Sequence, residues 1–201
     1  MQTEYYADNR DVVKWGTLIH LCRREGLKKI VQVPVLQPES GGARRLFIDG
    51  SPAAFPPEVW AHFRDLKHIE ALGGQAGLRI KVLDELFVHK QRAEYMKHLC
   101  SRLCVMKEPK AVFLDPDTGI EPQAATAKHV KVCEIAQIWG VLRKKDWLVV
   151  YQHRPQRVAS VVDWRKGPKR KFESGCGLAR AVTFESKTLA PDVAFFAARK
   201  T

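Results

Sequence analysis

The 201-residue sequence has no long hydrophobic run, because Lys, Arg, Asp or Glu interrupts every apolar stretch. None therefore approaches the roughly 20 residues that a membrane-spanning helix needs. The N-terminus has no basic region followed by an apolar core, so we expect no secretion signal and a cytoplasmic location. Internal repeats, low-complexity tracts, a Walker phosphate loop, a Ser-His-Asp nucleophile elbow and the protein kinase motifs are also absent. Their absence excludes the corresponding folds and enzyme classes.

Cysteine is scarce and unevenly spaced. The five cysteines are an odd number without a dense framework, which favours reduced thiols over disulfides. Cys100 and Cys104 lie one helical turn apart, with His98 close by. Structural zinc usually takes three or four ligands at tighter, paired spacings, so we predict no metal site.

Acidic residues are outnumbered. The chain has 34 Lys and Arg against 22 Asp and Glu, which gives a net charge of +12. A surplus of this size favours a polyanionic partner, because phosphate contacts release counterions, and we expect nucleic acid. The alternative is that the charge only keeps the protein soluble. The length fits a single domain over residues 1–201, and the sequence does not predict the oligomeric state.

Hydrophobic periodicity and turn residues predict helices that alternate with strands. The predicted helices run from Asp8 or Asn9 to Gly26, from Pro56–Pro57 to Gly73–Gly74, and over Lys90–Val105, Ala127–Leu142 and Asp163–Glu173. The predicted strands are Ile30–Leu36, Leu78–Leu83, Ala111–Leu114, Trp147–Tyr151, Ala179–Glu185 and Asp192–Ala198. Residues 37–54 are predicted as a loop with a short strand at Leu46–Ile48.

This alternation of strands and helices predicts βαβ units and a mostly parallel sheet. The last two strands have no helix between them, so they should pair antiparallel. The predicted fold class is therefore α/β, a three-layer α/β/α sandwich that ends in an antiparallel hairpin.

The segment Ala111–Ile120 carries the strongest functional signal, an apolar run that ends in Asp115-Pro116-Asp117-Thr118-Gly119. Ligands of open α/β sheets bind at the C-terminal ends of the strands, so these carboxylates would lie at a binding edge. Pro116 should end the strand and let them project. We predict Asp115 and Asp117 as catalytic residues. The alternative is an ordinary turn.

A third candidate catalytic residue, His153, follows the strand Trp147–Tyr151. The end of this strand should lie beside Asp115, because consecutive strands are usually neighbours. His153 could act as a general base or hold the substrate; the alternative is a solvated side chain. A basic run with Trp164 and Phe172 interleaved follows, and we predict that it binds nucleic-acid phosphates and bases. Its basic residues are Arg154, Arg157, Arg165, Lys166, Lys169, Arg170 and Lys171. The alternative is a solvated charged face.

Near the N-terminus, the first predicted helix contains Asp11-Val12-Val13-Lys14-Trp15. Together with Asp115-Pro116-Asp117-Thr118, it resembles two motifs of the Rossmann-like S-adenosylmethionine-dependent methyltransferases, in particular the bacterial ribosomal RNA adenine methyltransferases. Their motifs are Asp-Val-Leu-Lys-His and Asp-Pro-Pro-Tyr. The order of elements after Asp115 is also similar. The resemblance implies a methyltransferase-like fold, S-adenosylmethionine as cofactor, and a substrate amino group received by Asp115. It places Lys14, Asp11 and Gln37 at the cofactor.

The sequence departs from that family at several points. Trp15 replaces the His, Asp117-Thr118 replace Pro-Tyr, and Pro34 and Pro38 follow the first strand instead of an early glycine-rich turn. The leading hypothesis is a methyltransferase-like protein that acts on nucleic acid. One alternative is a catalytically degenerate Rossmann-like module that binds nucleic acid or protein. The other is a metal-dependent phosphodiesterase that uses Asp115 and Asp117, with His153, around a divalent ion.

Overall fold

The computed structural model describes residues 9–36, 46–48, 51–53, 68–123, 125–155 and 163–201, with the backbone alone at 46–48 and 51–53. Its helices are α1 (Asn9–Glu25), α2 (His68–Ala76), α3 (Arg92–Val105), α4 (Val132–Val141) and α5 (Lys166–Cys176). Its strands are β1 (Lys29–Val33), β2 (Leu46–Ile48), β3 (Ser51–Ala53), β4 (Arg79–Val82), β5 (Ala111–Leu114), β6 (Gly119–Ile120), β7 (His129–Val130), β8 (Trp147–His153), β9 (Val182–Glu185) and β10 (Val193–Arg199).

Six of these strands form the central sheet, in the spatial order β4-β1-β5-β8-β10-β9. The first four are parallel, and β10 pairs antiparallel with both β8 and β9. Two smaller ladders join β2 to β3 and β6 to β7. The predicted mostly parallel sheet with a closing antiparallel pair is confirmed, as is the short strand at Leu46–Ile48.

Helices cover both faces of the sheet. On one face, Leu18 and Leu21 of α1 and Ile69 of α2 pack against alternate strand residues such as Ile30 and Phe113. The intervening strand residues face α3, α4 and α5 on the other side. Each of these fully buried side chains stabilises the fold by about 1.5–3 kcal/mol. The three-layer α/β/α architecture is confirmed. None of the described helices is both long and apolar enough to cross a bilayer.

The two edges of the sheet differ in what they can bind. The tip edge comprises the C-terminal ends of β4, β1, β5 and β8 and the start of β10, and the basal edge is the opposite one. The chain leaves β1 through α2 on one face and enters β5 from α3 on the other. The chain therefore changes direction between β1 and β5, and such a switch point is where open α/β sheets bind ligands.

Strand β1 is shorter than predicted, ending at Val33 rather than at Leu36. Val35 has a positive φ of 48°, which breaks the extended conformation, and Leu36 forms only an isolated bridge to Leu86. A β-branched residue rarely adopts this left-handed conformation, which costs about 1–3 kcal/mol.

The end of α2 also differs from the prediction, because the helix passes through Gly73 and Gly74 to Ala76. A Cβ atom on Gly73 would lie 2.8 Å from the carbonyl oxygen of Leu78. Glycine is needed there because the helix approaches β4 closely, and Gly77 with φ +67° ends the helix instead. The predicted start at Pro56–Pro57 lies outside the described residues.

Helix α4 begins at Val132, five residues later than predicted, because His129–Val130 forms a strand with Gly119–Ile120. Glu134 Oε2 accepts the Lys131 N–H at 2.8 Å, and Glu121 Oε1 accepts the Val132 N–H at the same distance. These long-range partners fix the helix start. Smaller shifts extend β8 to His153, move α5 to Lys166–Cys176, and place a 3₁₀ turn at His89–Gln91 before α3.

A buried ion pair joins the starts of β5 and β8 at the basal edge. Lys110 is fully buried, and its Nζ lies 2.8 Å from Asp146 Oδ2 and 3.0 Å from the Met106 carbonyl. Asp146 also accepts the N–H groups of Lys110 and Arg143. The pair therefore holds the turns before both strands in place.

We expect Lys110→Met to lower the free energy of unfolding by about 3–5 kcal/mol, because it leaves the buried Asp146 carboxylate without its cation. Urea denaturation measures the change. Lys107→Met, at an exposed position of the same turn, is the matched control and should change stability little. A loss in Lys110→Met no larger than in the control would contradict the prediction.

Candidate functional site

The N-terminal turns of α1 come to the tip edge and contact the end of β5. Asp115 is 2% exposed, and its Oδ2 accepts hydrogen bonds from Lys14 Nζ and from Gln32 Nε2, each at 2.9 Å. Lys14 Nζ also lies 2.6 Å from Asp11 Oδ1. The structure thus brings together the predicted residues Asp11, Lys14 and Asp115. The expectation that Asp115 projects from the strand is wrong, because α1 covers it and supplies its cation.

Lys14 keeps its proton in this buried position. Burial lowers the pKa of Lys14, but the charges of Asp115 and Asp11 and the hydrogen bonds that Lys14 donates to both raise it overall above 10.5. Its Nζ also lies 5.7 Å from the centre of the Tyr151 ring. The result is a buried cation between two carboxylates, which links α1 to β5.

The two carboxylate oxygens of Asp115 have different surroundings. Lys14 and Gln32 both contact Oδ2. Oδ1 takes no side-chain hydrogen bond from the described part of the chain. One oxygen is therefore fixed by the protein, and the other is the atom that a ligand N–H could reach.

Asp117 lies in the turn after Asp115 and is more exposed. Its Oδ2 is 3.4 Å from Lys128 Nζ, and its side chain is 18% exposed. Gly119 has φ +129°, and a Cβ atom there would lie 2.5 Å from the Gln152 side chain, so the turn needs glycine. Among the described residues, no group of three or more His, Cys, Asp and Glu side chains could hold a metal ion.

His153 ends β8 and contacts Asp192, just before β10. Its Nε2 lies 3.1 Å from Asp192 Oδ2, and its Nδ1 lies 2.8 Å from the Arg154 carbonyl. Both neighbours of the imidazole ring are hydrogen-bond acceptors. Arg10 Nη2 lies 2.6 Å from the same Asp192 oxygen. This arrangement favours a role in holding α1, β8 and β10 together over a role as general base.

The predicted basic run is only partly available for a ligand. Lys171 Nζ donates to the carbonyls of Glu121 and Pro122 at 2.7 and 2.6 Å, and Arg165 Nε lies 2.7 Å from Glu185. Arg154 is half-buried beside the His153 contact. Three residues on the N-terminal half of α5 are exposed or half-buried and form no ion pair with a described residue, namely Lys166, Lys169 and Arg170. The predicted Arg157, and Gln37 at the cofactor, lie outside the described residues.

Sequence reasoning missed Asp84, which follows β4 directly. The residue is exposed, and the N–H of Leu83 donates to the Gln32 carbonyl at 2.9 Å, so Asp84 lies beside the end of β1. In nucleotide-binding α/β folds, an acidic residue at the corresponding strand end binds ribose hydroxyls. The signal was present in the sequence, because Asp84-Glu85 ends the predicted strand Leu78–Leu83.

A second buried ion pair lies under the tip edge on the opposite face. Arg92 Nη2 donates to Glu134 Oε2 at 3.0 Å, and Arg92 Nε contacts the other oxygen. Arg92 also binds the carbonyls of Thr126 and His129. The cavity beside this pair has a volume of about 10 Å³, room for one water molecule. A nucleotide-sized ligand does not fit in this cavity.

Comparisons with known proteins give no family. No family model matches the chain, and no curated protein matches it. Among solved structures, a "putative methyltransferase" from Thermobifida fusca YX is similar, with 12% identity, a TM-score of 0.42, and coverage of 96% of this chain and 80% of that one. A DUF574 family protein from Streptomyces avermitilis MA-4680 has 12% identity, a TM-score of 0.41, and coverage of 96% and 82%. We draw no functional conclusion from likenesses at this level.

Acid should weaken the contact between α1 and β10. Partial burial raises the pKa of Asp192, but the hydrogen bond and charge of Arg10 and the charge of His153 lower it overall below 3.8. The Asp192 ion pairs therefore stabilise the fold above that pH, and this contribution is lost as the pH falls through the folded-state pKa. We expect Asp192→Asn to cost on the order of 1 kcal/mol at pH 7, since the pair is partly exposed.

Urea titrations of the wild type and Asp192→Asn between pH 7 and pH 3 measure this effect. The difference between the two proteins should shrink below about pH 4. Asp163→Asn is the matched control, because it removes an exposed carboxylate 3.5 Å from Arg165. A difference that stays constant with pH, or that grows in acid, would count against the assignment.

Proposed function

We propose that this protein binds S-adenosylmethionine at the tip edge and transfers its methyl group to an amino group of a nucleic acid. The observation that carries the proposal is the convergence of three strand ends at the switch point. Asp84 follows β4, Val35 with its positive φ follows β1, and Asp115 follows β5. A ligand at this point would meet a carboxylate on either side.

The residues present fit the chemistry of this cofactor. The exposed carboxylate of Asp84 suits ribose hydroxyls, and no described residue pairs with it. The left-handed backbone at Val35 provides, without glycine, the turn conformation that glycine usually supplies after the first strand. Gln37 and Asp11 remain proposed contacts. Lys14, only 5% exposed, would act on the ligand through Asp115.

S-adenosylmethionine, when bound, supplies an electrophilic methyl group. Asp115 Oδ1 would accept a hydrogen bond from the substrate amino group and so orient its lone pair. Lys14 and Gln32 hold the other oxygen in place. Asp117 is proposed to contact the substrate from the adjoining turn, and His153 to keep β8 and β10 in place beside it. The net charge of +12 supports a polyanionic substrate.

Isothermal titration calorimetry with S-adenosylmethionine tests the cofactor directly. We expect binding, and we expect Asp84→Asn to weaken it about tenfold to hundredfold, because hydrogen bonds to a charged group contribute about 1.5–3 kcal/mol. Glu108→Gln, which removes an exposed carboxylate at the basal edge, is the control and should bind like the wild type. No heat of binding at about 1 mM ligand would exclude the cofactor.

Methyl transfer from labelled S-adenosylmethionine to unmodified RNA transcripts tests the role of Asp115. We expect Asp115→Asn to reduce the rate by about 10²–10³-fold, since removing one oriented hydrogen-bonding group costs this much in comparable sites. Cofactor affinity should stay within a few-fold, which also shows that the variant folds. Asp117→Asn is the paired control, and we expect it to reduce the rate of methyl transfer by a smaller factor. Cofactor binding without any transfer to RNA or DNA would favour the degenerate binding module.

A further inference from the structure

The surplus positive charge of this protein collects at the basal edge of the sheet. This edge is formed by the segments that enter or leave the six strands there, residues 23–29, 77–79, 102–110, 142–147, 177–181 and 199–201. Fourteen Lys and Arg and three Asp and Glu lie in these segments, a surplus of eleven, whereas the whole chain has a surplus of twelve. The rest of the sequence is therefore close to neutral.

The basic residues are distributed over all six strands. Backbone pairing places the strand ends side by side, with Lys29 opposite Arg79, Ile30 opposite Ala111, Ala111 opposite Trp147, and Trp147 opposite Arg199. In the spatial order of the sheet, one basic residue at each strand end, or in the turn within four residues of it, gives the row Arg79, Lys28, Lys107, Lys144, Arg199 and Arg180. Neighbouring strands lie about 4.8 Å apart, so this row is about 24 Å long.

Little of this charge is neutralised within the protein. Eleven of the fourteen basic residues are exposed, namely Arg23, Arg24, Lys28, Arg79, Arg102, Lys107, Arg143, Lys144, Lys145, Arg180 and Arg199. Of the three acidic residues, Asp146 is buried against Lys110, Glu108 pairs with Arg79 at 2.7 Å, and Glu25 pairs with Arg24 at 2.9 Å. Lys28, Lys107 and Lys144 form no ion pair with a described residue.

We propose that the basal edge is a nucleic-acid-binding surface, on which this row of cations contacts the phosphates of one strand. Along the axis of a duplex, each strand carries one phosphate per about 3.4 Å, so a row of about 24 Å spans about seven phosphates of one strand. Arg79 and Arg199 lie in paired strands and the other four cations lie in the turns beside them, which limits their spacing before the ligand binds. This pre-organisation lowers the entropic cost of binding a regularly charged polymer.

The chemistry of the basal edge favours a nucleic acid over an anionic membrane. Membrane-surface binding usually needs an amphipathic helix that inserts a broad apolar face with aromatic residues. At the basal edge, cationic side chains lie over the aromatic rings. Trp147 is buried under Arg24, and Lys200 Nζ lies 4.7 Å from the centre of the Trp139 ring. Of the apolar side chains there, only Val105 is more than half exposed among the described residues.

This surface is separate from the candidate site and does not depend on the proposed methyl transfer. The tip edge and the basal edge are separated by the length of the strands, about 23 Å for the seven residues of β8. The basal edge would therefore anchor a nucleic acid away from the candidate site. Lys166, Lys169 and Arg170 on α5 would contribute less to affinity, because the sequence outside the basal segments carries almost no net positive charge.

Fluorescence anisotropy with a labelled RNA of about 20 nucleotides and a DNA duplex of about 20 base pairs tests the proposal across about 50–300 mM KCl. The test variant is Lys28→Glu/Lys107→Glu/Lys144→Glu. The matched control is Lys166→Glu/Lys169→Glu/Arg170→Glu, which changes the net charge equally at the tip edge. Circular dichroism and thermal unfolding show whether each variant folds. The corresponding Lys→Gln variants replace any that does not.

We expect the wild type to bind at least one probe, with affinity that falls steeply as salt rises. The basal variant should bind about tenfold or more weakly at about 50 mM salt. The slope of its log affinity against log salt concentration should decrease by the equivalent of about three phosphate contacts. The affinity of the control variant should decrease by less than about threefold. An equal or larger loss in the control, a salt-independent signal, or no binding to either probe would overturn the proposal. Binding only to phosphatidylserine vesicles would assign the surface to a membrane instead.

Discussion

The contact between Lys14 and Asp115 is the interaction on which the tip edge depends. A lysine ammonium buried between two carboxylates is stable only because both partners are present at hydrogen-bond distance. It attaches the first helix to the end of β5 and fixes the orientation of Asp115. The charged network thus links the fold and the candidate site through the same few atoms.

The sheet separates two kinds of electrostatic surface. At the tip edge, cations and carboxylates are paired, as in the Arg10–Asp192 and Lys128–Asp117 contacts, so the field is local. At the basal edge the cations are mostly unpaired, and their field extends over about a Debye length of about 8–10 Å. A small ligand held by directed hydrogen bonds suits the first surface, and a charged polymer suits the second. Parallel strands produce this division because all their starts lie at one edge.

Much of the fold was predictable from local patterns. The buried strand Ala111–Leu114 matches the prediction in both bounds, because a continuous apolar run is bounded by Lys110 and Asp115. Two of the errors share one physical cause, which is that a neighbouring segment of the chain changed the local preference. His129–Val130 became a strand because Gly119–Ile120 was available to pair with it. Gly73 remained helical because β4 approaches it closely.

By itself, the sequence determined the alternation of helices and strands, the mostly parallel sheet and the position of Asp115 at the end of a strand. These follow from residue type and spacing, which act locally. Only the tertiary structure decided that Lys14 neutralises Asp115, that Asp84 stands beside β1, and that Lys171 and Arg165 bind groups of the protein itself. It also collected basic residues from six distant segments into one row. Such features depend on contacts between residues far apart in the chain, and no local pattern encodes which of those residues will meet.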